Sequence, residues 1–176
     1  VPDGKRDAAY IGENLPIGQN RVILEPRTLA KLLDALNINN DELVLDIGTG
    51  LGYSSAVISL LAEVVIALED DSSLASEAEE ILSEIGVDNV VVQVSKLENG
   101  ASEHGPYDVI ILQGGVEEIP GSIINQLKDG GRVGAIYIEE GLGTAKIGFK
   151  LNDKINWRYS FNAAAPVLPG FFKQKN

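Results

Sequence analysis

The sequence contains no cysteine and no methionine, and it has a single histidine and a single tryptophan. Without cysteine the chain can form no disulfide and can supply no thiolate for catalysis or metal binding. This composition suits a protein of the cytoplasm, and we expect that location. Because even the initiating methionine is missing, we expect the 176 residues to be part of a longer chain with a further N-terminal segment.

Basic residues are also few. The chain has 14 Lys and Arg against 26 Asp and Glu, which gives a net charge of -12. Proteins that bind nucleic acids neutralise phosphates with clustered cations, and no such cluster is present, so we expect no nucleic-acid partner. No apolar run approaches the ~18 residues that a membrane-spanning helix needs, so we expect no membrane insertion.

Apolar runs alternate with amphipathic stretches along most of the chain. After an irregular opening, the pattern predicts helices that begin at Pro26, Tyr53 and Pro120, and a further helix that Asp71 or Ser72 caps and that runs to about Ile85. It predicts strands at 42–47, 64–69, 89–94, 107–112 and 130–138. Strands that are apolar on both faces are typical of a parallel sheet covered by helices on both sides. The sequence therefore predicts a single Rossmann-like α/β domain over residues 1–176.

The end of the chain departs from this alternation. The segments "TAKIGFKL" and "INWRYSF" flank the short stretch "NDK", which is typical of a β-hairpin. Two more strands joined without a helix complete a sheet of seven strands. One of the strands in this hairpin must run antiparallel to the rest.

The stretch "LVLDIGTGLGYSS" (43–55) leads from the first predicted strand into a glycine-rich turn. In an open α/β sheet, ligands bind beyond the carboxyl ends of the strands, where this turn lies. The dinucleotide fingerprint G-x-G-x-x-G is not matched, because Tyr53 stands where its third glycine would be. A phosphate-binding P-loop is excluded because no Gly-Lys-Ser/Thr follows.

S-adenosylmethionine fits this turn better, since it carries no phosphate. Such a ligand needs close approach to bare backbone at the glycines, and carboxylates for its ribose hydroxyls and amino group. Asp46 ends the first strand and Glu69 ends the second. Glu69 lies 21 residues after Gly48 (69 − 48), about the spacing at which an acidic residue meets a ribose.

With these residues in view, the chain resembles the protein-L-isoaspartate O-methyltransferase family, a group with the class I methyltransferase fold. The first motif of that family resembles "LVLDIGTGLGY", usually with Glu where Asp46 stands. The likeness runs in order through "AYIGENLPIG" (9–18), "DNVVVQV" (88–94), "GPYDVII" (105–111), "IPGSIINQLKDGGRV" (119–133) and "PVLPG" (166–170).

The resemblance implies methyl transfer from S-adenosylmethionine to the α-carboxylate of an isoaspartyl residue in a protein or peptide, a repair reaction. The glycine turn with Asp46 would hold the methionine part of the cofactor, Glu69 the ribose, and residues 95–97 the surroundings of the adenine. The predicted cofactor-binding residues are Asp46, Gly48, Thr49, Gly50, Gly52, Glu69, Asp70, Ser95, Lys96 and Leu97. A carboxylate is already ionised at neutral pH, so the reaction needs no strong base, and the sequence identifies no catalytic residue. We predict no metal ligand.

Three positions depart from the family's pattern. The family has Ser-Gln-Pro before its first long helix, where this chain has Leu24 and Glu25 before the proline. It has Gly-Asp-Gly after the third strand, where Lys96 cannot accept a hydrogen bond from an adenine amino group. It has Thr-Ala-Ala after the fourth strand, where this chain has "QGG". We therefore predict that Leu24, Glu25 and Gln113 line the side of the methyl acceptor.

Other readings stay open at this point. An NAD-dependent oxidoreductase would need the glycine spacing that this chain lacks. A relative with the same fold could methylate a different small acceptor, or could be a non-catalytic binding module, and the changes at Leu24, Lys96 and Gln113 are what such a relative would show. A metal-dependent methyltransferase would need acidic ligands near the fourth strand, where Gln113 stands instead.

Overall fold

The computed structural model describes residues 13–18 and 20–174. Of the motif at 9–18, residues 9–12 lie outside the described part. Two short strands open the structure, and helices then alternate with the strands of one large sheet. The elements are β1 (Leu15–Gly18), β2 (Arg21–Ile23), α1 (Pro26–Leu36), β3 (Leu43–Ile47), α2 (Tyr53–Ser59), β4 (Val64–Glu69), α3 (Ser72–Glu84), β5 (Val90–Val94), β6 (Tyr107–Val116), α4 (Gly121–Ile124), β7 (Leu127–Glu139), β8 (Leu142–Leu151) and β9 (Lys154–Asn162).

The large sheet has seven strands in the order β5-β4-β3-β6-β7-β8-β9. Strand β3 is the third strand in this order and pairs in parallel with both β4 and β6. The chain winds outward from β3 to β5, then crosses to β6 on the other side of β3. The carboxyl end of β3 is therefore the point where strand order reverses, which is where ligands bind in open α/β sheets.

The predicted C-terminal hairpin is confirmed. Strand β8 runs antiparallel to both β7 and β9, so it is the one strand of opposite direction in this sheet. Asn152 and Asp153 form the two-residue turn, and both have positive φ (53° and 64°). Two left-handed residues match the twist of the flanking strands, and Asn and Asp tolerate that conformation better than most residues.

One face of the large sheet is covered by α1 and α2. The buried leucines of α1 (Leu32, Leu33 and Leu36) recur at helical spacing, and they pack with Ile58 of α2 against strand residues that include Val44. This is the apolar face that the sequence pattern predicts for the first helix.

The opposite face has less helical cover than the sequence predicts. The helix expected from Pro120 to Leu127 has only four residues, Gly121 to Ile124. Leu127 already belongs to β7, where it pairs with Tyr107 of β6. The core on this face also includes Leu97 and Phe171, which lie outside the helices and strands named above, so irregular segments cover this face together with α4.

The sequence did not predict the β1–β2 hairpin. Its strands have four and three residues, which is too short for an alternating pattern to be recognised. The hairpin forms its own two-stranded sheet, with Leu15 opposite Ile23. It lies beside the glycine turn and therefore forms one wall of the candidate site.

Candidate active site

The glycine turn connects β3 to α2 at the carboxyl end of β3. The backbone N–H groups of Gly48 and Thr49 both donate to Leu68 O, at 2.8 and 3.1 Å, so the turn is tied to the end of β4. Gly48 and Gly50 have φ of 83° and 60°, a conformation that side chains rarely adopt. The turn therefore presents bare backbone at the reversal of strand order.

Gly52 has a different role from the other two glycines of the turn. It is the N-cap of α2, with φ of 89°. A Cβ atom placed on it would lie 3.2 Å from Ala78 Cβ of α3. The absence of a side chain at Gly52 thus lets α2 begin close to α3, and this glycine faces the packed helix.

Asp46 is completely buried at the end of β3, where three side chains donate to its carboxylate. The hydroxyl groups of Ser54 and Ser55 donate to Oδ2, each at 2.6 Å, and Gln113 Nε2 donates to Oδ1 at 2.8 Å. Burial raises the pKa of Asp46, and the three donors offset part of that effect. The carboxylate therefore links β3, the first turn of α2 and β6 beneath the glycine turn.

Glu69 is also completely buried, at the end of β4, and it forms a bidentate ion pair with Arg21 of β2. Arg21 Nη1 lies 2.9 Å from Oε2 and Nη2 lies 2.6 Å from Oε1. Three backbone N–H groups donate to the same carboxylate: Gly50 at 2.8 Å, Asp70 at 2.9 Å and Asp71 at 3.0 Å. Glu69 thus joins the hairpin, the glycine turn and the end of β4.

The charges of Arg21, Glu69 and Asp70 change the pKa values of the two carboxylates. Burial alone would raise the pKa of Glu69, but the hydrogen bonds and charge of Arg21 outweigh it and lower the pKa from 4.5 to about 2. Asp70 accepts from Arg21 Nη1 at 3.0 Å. Its pKa is raised, first by partial burial and then by the neighbouring Glu69 carboxylate. Glu69 therefore stays ionised throughout the neutral range.

A cavity of about 310 Å³ borders the glycine turn and lies between the β1–β2 hairpin, α1 and α2. Most of its wall is apolar, and polar atoms come from Glu13 and from the residues around the turn and the end of β6. The lining comprises Glu13, Leu15, Ile17, Val22, Ile23, Leu24, Pro26, Leu29, Ala30, Leu33, Gly48, Thr49, Tyr53, Ser54, Val57 and Gln113.

Comparison with known proteins identifies the group to which this architecture belongs. The family model for protein-L-isoaspartate(D-aspartate) O-methyltransferase matches residues 1–156. A protein named protein-L-isoaspartate O-methyltransferase from Syntrophus aciditrophicus is 36% identical over 157 residues, which cover 87% of this chain and 72% of that protein. The chain belongs to the protein-L-isoaspartate(D-aspartate) O-methyltransferase family.

Solved structures agree with the fold of this family. A protein-L-isoaspartate O-methyltransferase structure has a TM-score of 0.81 at 24% identity, covering 90% of this chain and 53% of that one. A Plasmodium falciparum structure titled as such an enzyme in complex with S-adenosyl-L-homocysteine has a TM-score of 0.75 at 20% identity, covering 90% and 81%. The predicted family and Rossmann-like methyltransferase fold are confirmed, and the family is one of S-adenosylmethionine-dependent O-methyltransferases.

The structure brings some of the predicted site residues together. Asp46, Gly48, Thr49, Gly50, Glu69 and Asp70 surround the glycine turn, while Leu24 and Gln113 line the cavity with Gly48 and Thr49. Ser95, Lys96 and Leu97 follow β5 and do not line this cavity. Lys96 is exposed, and Leu97 is buried in the core, so the role of residues 95–97 beside an adenine stays a prediction.

Glu25, which we predicted on the acceptor side, does not line the cavity. It is the N-cap of α1, and its carboxylate accepts from the backbone N–H groups of Arg27 at 3.0 Å and Thr28 at 3.1 Å. A side-chain oxygen just before a helix satisfies N–H groups that would otherwise have no partner. Its carboxylate is therefore turned toward the helix.

Three residues at the site were not predicted from the sequence. Ser54 and Ser55 open α2 directly after the glycines, and that position signals that they can reach back to the end of β3. Arg21 carries no comparable signal, because its partner Glu69 is 48 residues away.

Within residues 13–18 and 20–174 no three His, Cys, Asp or Glu side chains are grouped to hold a metal. No helix in the described part is long and apolar enough to cross a membrane.

Replacing Gln113 with leucine should lower the free energy of unfolding by about 1–3 kcal/mol, because Asp46 Oδ1 loses its donor in a fully buried position. Chemical denaturation measures this. Gln93→Leu is the matched control, since Gln93 lies in β5 and its amide donates to Glu103 near the surface. The control should change stability by less than about 0.5 kcal/mol. Equal effects from both variants would contradict the role assigned to Gln113.

Proposed function

We propose that the chain is an S-adenosylmethionine-dependent O-methyltransferase that methylates isoaspartyl carboxylates in proteins and releases S-adenosylhomocysteine. The observation that carries this proposal is the glycine turn at the reversal of strand order, with Asp46 and Glu69 at the ends of two adjacent strands, in a chain of this family. We also propose a cytoplasmic location and no nucleic-acid partner, in keeping with the net charge of -12.

The residues around the turn fit the methionine end of this cofactor. Gly48 and Gly50 leave the backbone bare, and Thr49 and Gln113 bring polar atoms to one end of the cavity. Asp46 is buried behind them and holds Gln113 in place through its Oδ1 atom. It is a positioning residue in this proposal. When bound, the cofactor supplies a methyl group on a cationic sulfur.

The chain's own contribution is to orient the acceptor and to exclude water. An isoaspartyl carboxylate is ionised at neutral pH and needs no base to make it nucleophilic. Both charges disappear as the methyl group is transferred, so an environment with little water favours the reaction. Leu24 and the other apolar residues around the cavity provide such an environment next to Thr49 and Gln113.

One observation favours a second candidate, a non-catalytic relative that binds another molecule or a protein. The carboxylate of Glu69, which we assign to the ribose, is already engaged by Arg21 and three backbone N–H groups. The site therefore fits the methionine part of the cofactor, but the carboxylate assigned to the ribose is occupied by protein donors. A binding measurement separates the two candidates.

The test is a calorimetric titration with S-adenosylhomocysteine, with NAD as the control ligand. We expect micromolar binding of S-adenosylhomocysteine, about -8 kcal/mol, and no heat from NAD. Methyl transfer to an isoaspartyl peptide, with the aspartyl peptide of the same sequence as control, then tests the acceptor. Absence of S-adenosylhomocysteine binding at millimolar concentration, in the unaltered protein and also in Arg21→Gln, would reject the methyltransferase and leave the binding module.

A further inference from the structure

Arg21 binds the Glu69 carboxylate, the group to which we assign the ribose. It comes from β2 of the short N-terminal hairpin, and its side chain is 6% exposed. The guanidinium meets the carboxylate with both terminal nitrogens, at 2.9 and 2.6 Å, and Nη1 also reaches Asp70 Oδ1 at 3.0 Å. An arginine and a carboxylate in this side-by-side geometry form one of the strongest hydrogen-bonded pairs in proteins.

The carboxylate of Glu69 has no capacity left for a ribose in this arrangement. A carboxylate offers about four lone-pair sites to hydrogen-bond donors. Five N–H contacts already converge on its two oxygens: two from Arg21 and one each from the backbone of Gly50, Asp70 and Asp71. The two hydroxyl groups of a ribose can bind there only when Arg21 leaves.

The same hairpin covers the bare backbone of the glycine turn. A Cβ atom placed on Gly48 would lie 3.4 Å from Arg21 Nη2, and one placed on Gly50 would lie 2.7 Å from Ile17 Cδ1. Arg21 and Ile17 therefore occupy the space that the missing side chains leave open. This is the space that close approach of a cofactor to the turn requires.

The arrangement also contains an unsatisfied group. Arg21 Nε is buried and has no hydrogen-bond partner among the residues that the structure describes. Buried donors without acceptors are rare and unfavourable, so the closed position of Arg21 costs part of the energy that its ion pair supplies. A ligand that moves Arg21 toward solvent allows this donor to be hydrated.

We propose that Arg21 is an internal competitor of the cofactor, and that the β1–β2 hairpin must withdraw it from Glu69 before a ribose can bind. The inference rests on the proposed function. The apparent affinity for the cofactor is then the affinity of the open form reduced by the fraction of molecules that are open. Arg21 sets that fraction, so it tunes cofactor affinity without itself contacting the cofactor.

The experiment compares S-adenosylhomocysteine binding by calorimetry in the unaltered protein and three variants. Arg21→Gln removes the charge and should bind at least ten-fold more tightly than the unaltered protein. Arg21→Lys keeps a charge against Glu69 but loses the bidentate geometry, so it should fall between the two and should fold even if the glutamine variant does not. Arg132→Gln is the matched control, because Arg132 forms a similar bidentate pair with Glu42 away from the site. It should bind like the unaltered protein.

The outcomes separate this inference from the function on which it rests. Equal affinities in all four proteins would overturn the competition and leave the proposed function standing. Weaker binding by both Arg21 variants would also overturn it, because Arg21 would then support the bound cofactor. If no folded variant binds S-adenosylhomocysteine, the proposed function fails, and the inference fails with it.

Discussion

Replacing Glu69 with alanine should lower the free energy of unfolding by about 3–5 kcal/mol, the cost of leaving a buried charge without its partner. The side chain of Arg21 would stay buried and would keep only the partly exposed Asp70 as an acceptor. Three backbone N–H groups, those of Gly50, Asp70 and Asp71, would also lose their acceptor. Urea denaturation of the two proteins measures the difference. The glycine turn should loosen as well, because Glu69 is one of the groups that hold it.

The matched control is Glu42→Ala, which breaks the other bidentate arginine pair. Arg132 would keep carbonyl acceptors on Leu36 and Asn37 after that change, so the loss should be smaller. A double variant, Arg21→Leu with Glu69→Leu, should recover much of the stability that Glu69→Leu alone loses, since no charge is left buried. A loss under 1 kcal/mol for Glu69→Ala would show that the ion pair contributes no more than one at the surface.

The second large effect is on stability in acid. The pKa of Glu69 is about 2 in the folded protein against an ordinary value of 4.5, so the folded state binds this proton more weakly than the unfolded state does. The contribution of Glu69 is therefore fully present above about pH 5 and is lost as the pH falls toward 2. Between pH 5 and pH 3 the loss should be roughly 2 kcal/mol, from 1.36 kcal/mol per pKa unit.

The check is a series of urea denaturations from pH 7 to pH 3 on the unaltered protein and on Glu69→Gln. The glutamine variant cannot titrate at this position, so its stability should fall less steeply below pH 5. Asp46, whose raised pKa acts in the opposite direction, is present in both proteins and cancels in the comparison. Parallel curves for the two proteins would contradict the depressed pKa of Glu69.

Much of the sheet follows from local pattern. The apolar runs that became β3 and β4 are continuous because both faces of these strands are covered, and the strands predicted for β3, β4 and β5 each lie within a residue of the observed bounds. The hairpin at Asn152 and Asp153 was recognisable because both residues tolerate positive φ. In these segments the conformational preferences of the residues and their packing in the folded sheet favour the same structure.

One misjudged residue had a local signal, whereas the other misjudged parts depend on residues that are distant in the sequence. Glu25 could have been recognised as a helix cap, because it directly precedes a proline in the first turn of α1. The position of Arg21 could not be predicted, since a single basic residue in a short apolar segment does not identify a partner 48 residues away.

The length of β6 was underestimated because Gly114 and Gly115 do not favour strands. They are needed where they are because a Cβ on Gly114 would lie 2.6 Å from Leu168 Cδ2, and one on Gly115 would lie 2.8 Å from Ala165 O.

The close approach at Gly114 and Gly115 has a consequence for how the site is assembled during synthesis. Gly115 exchanges backbone hydrogen bonds with Pro166 and Leu168, at 2.7 and 2.8 Å, two residues after Gln113, which lines the cavity. At the other extremity, Asn14 donates to Ala164 O at 2.6 Å, beside the start of β1. The N-terminal hairpin and the C-terminal segment therefore frame one site from opposite ends of the sequence. A nascent chain that has not yet released residues 164–168 from the ribosome has the glycine turn but not its complete surroundings, so ligand binding requires that synthesis has passed these residues.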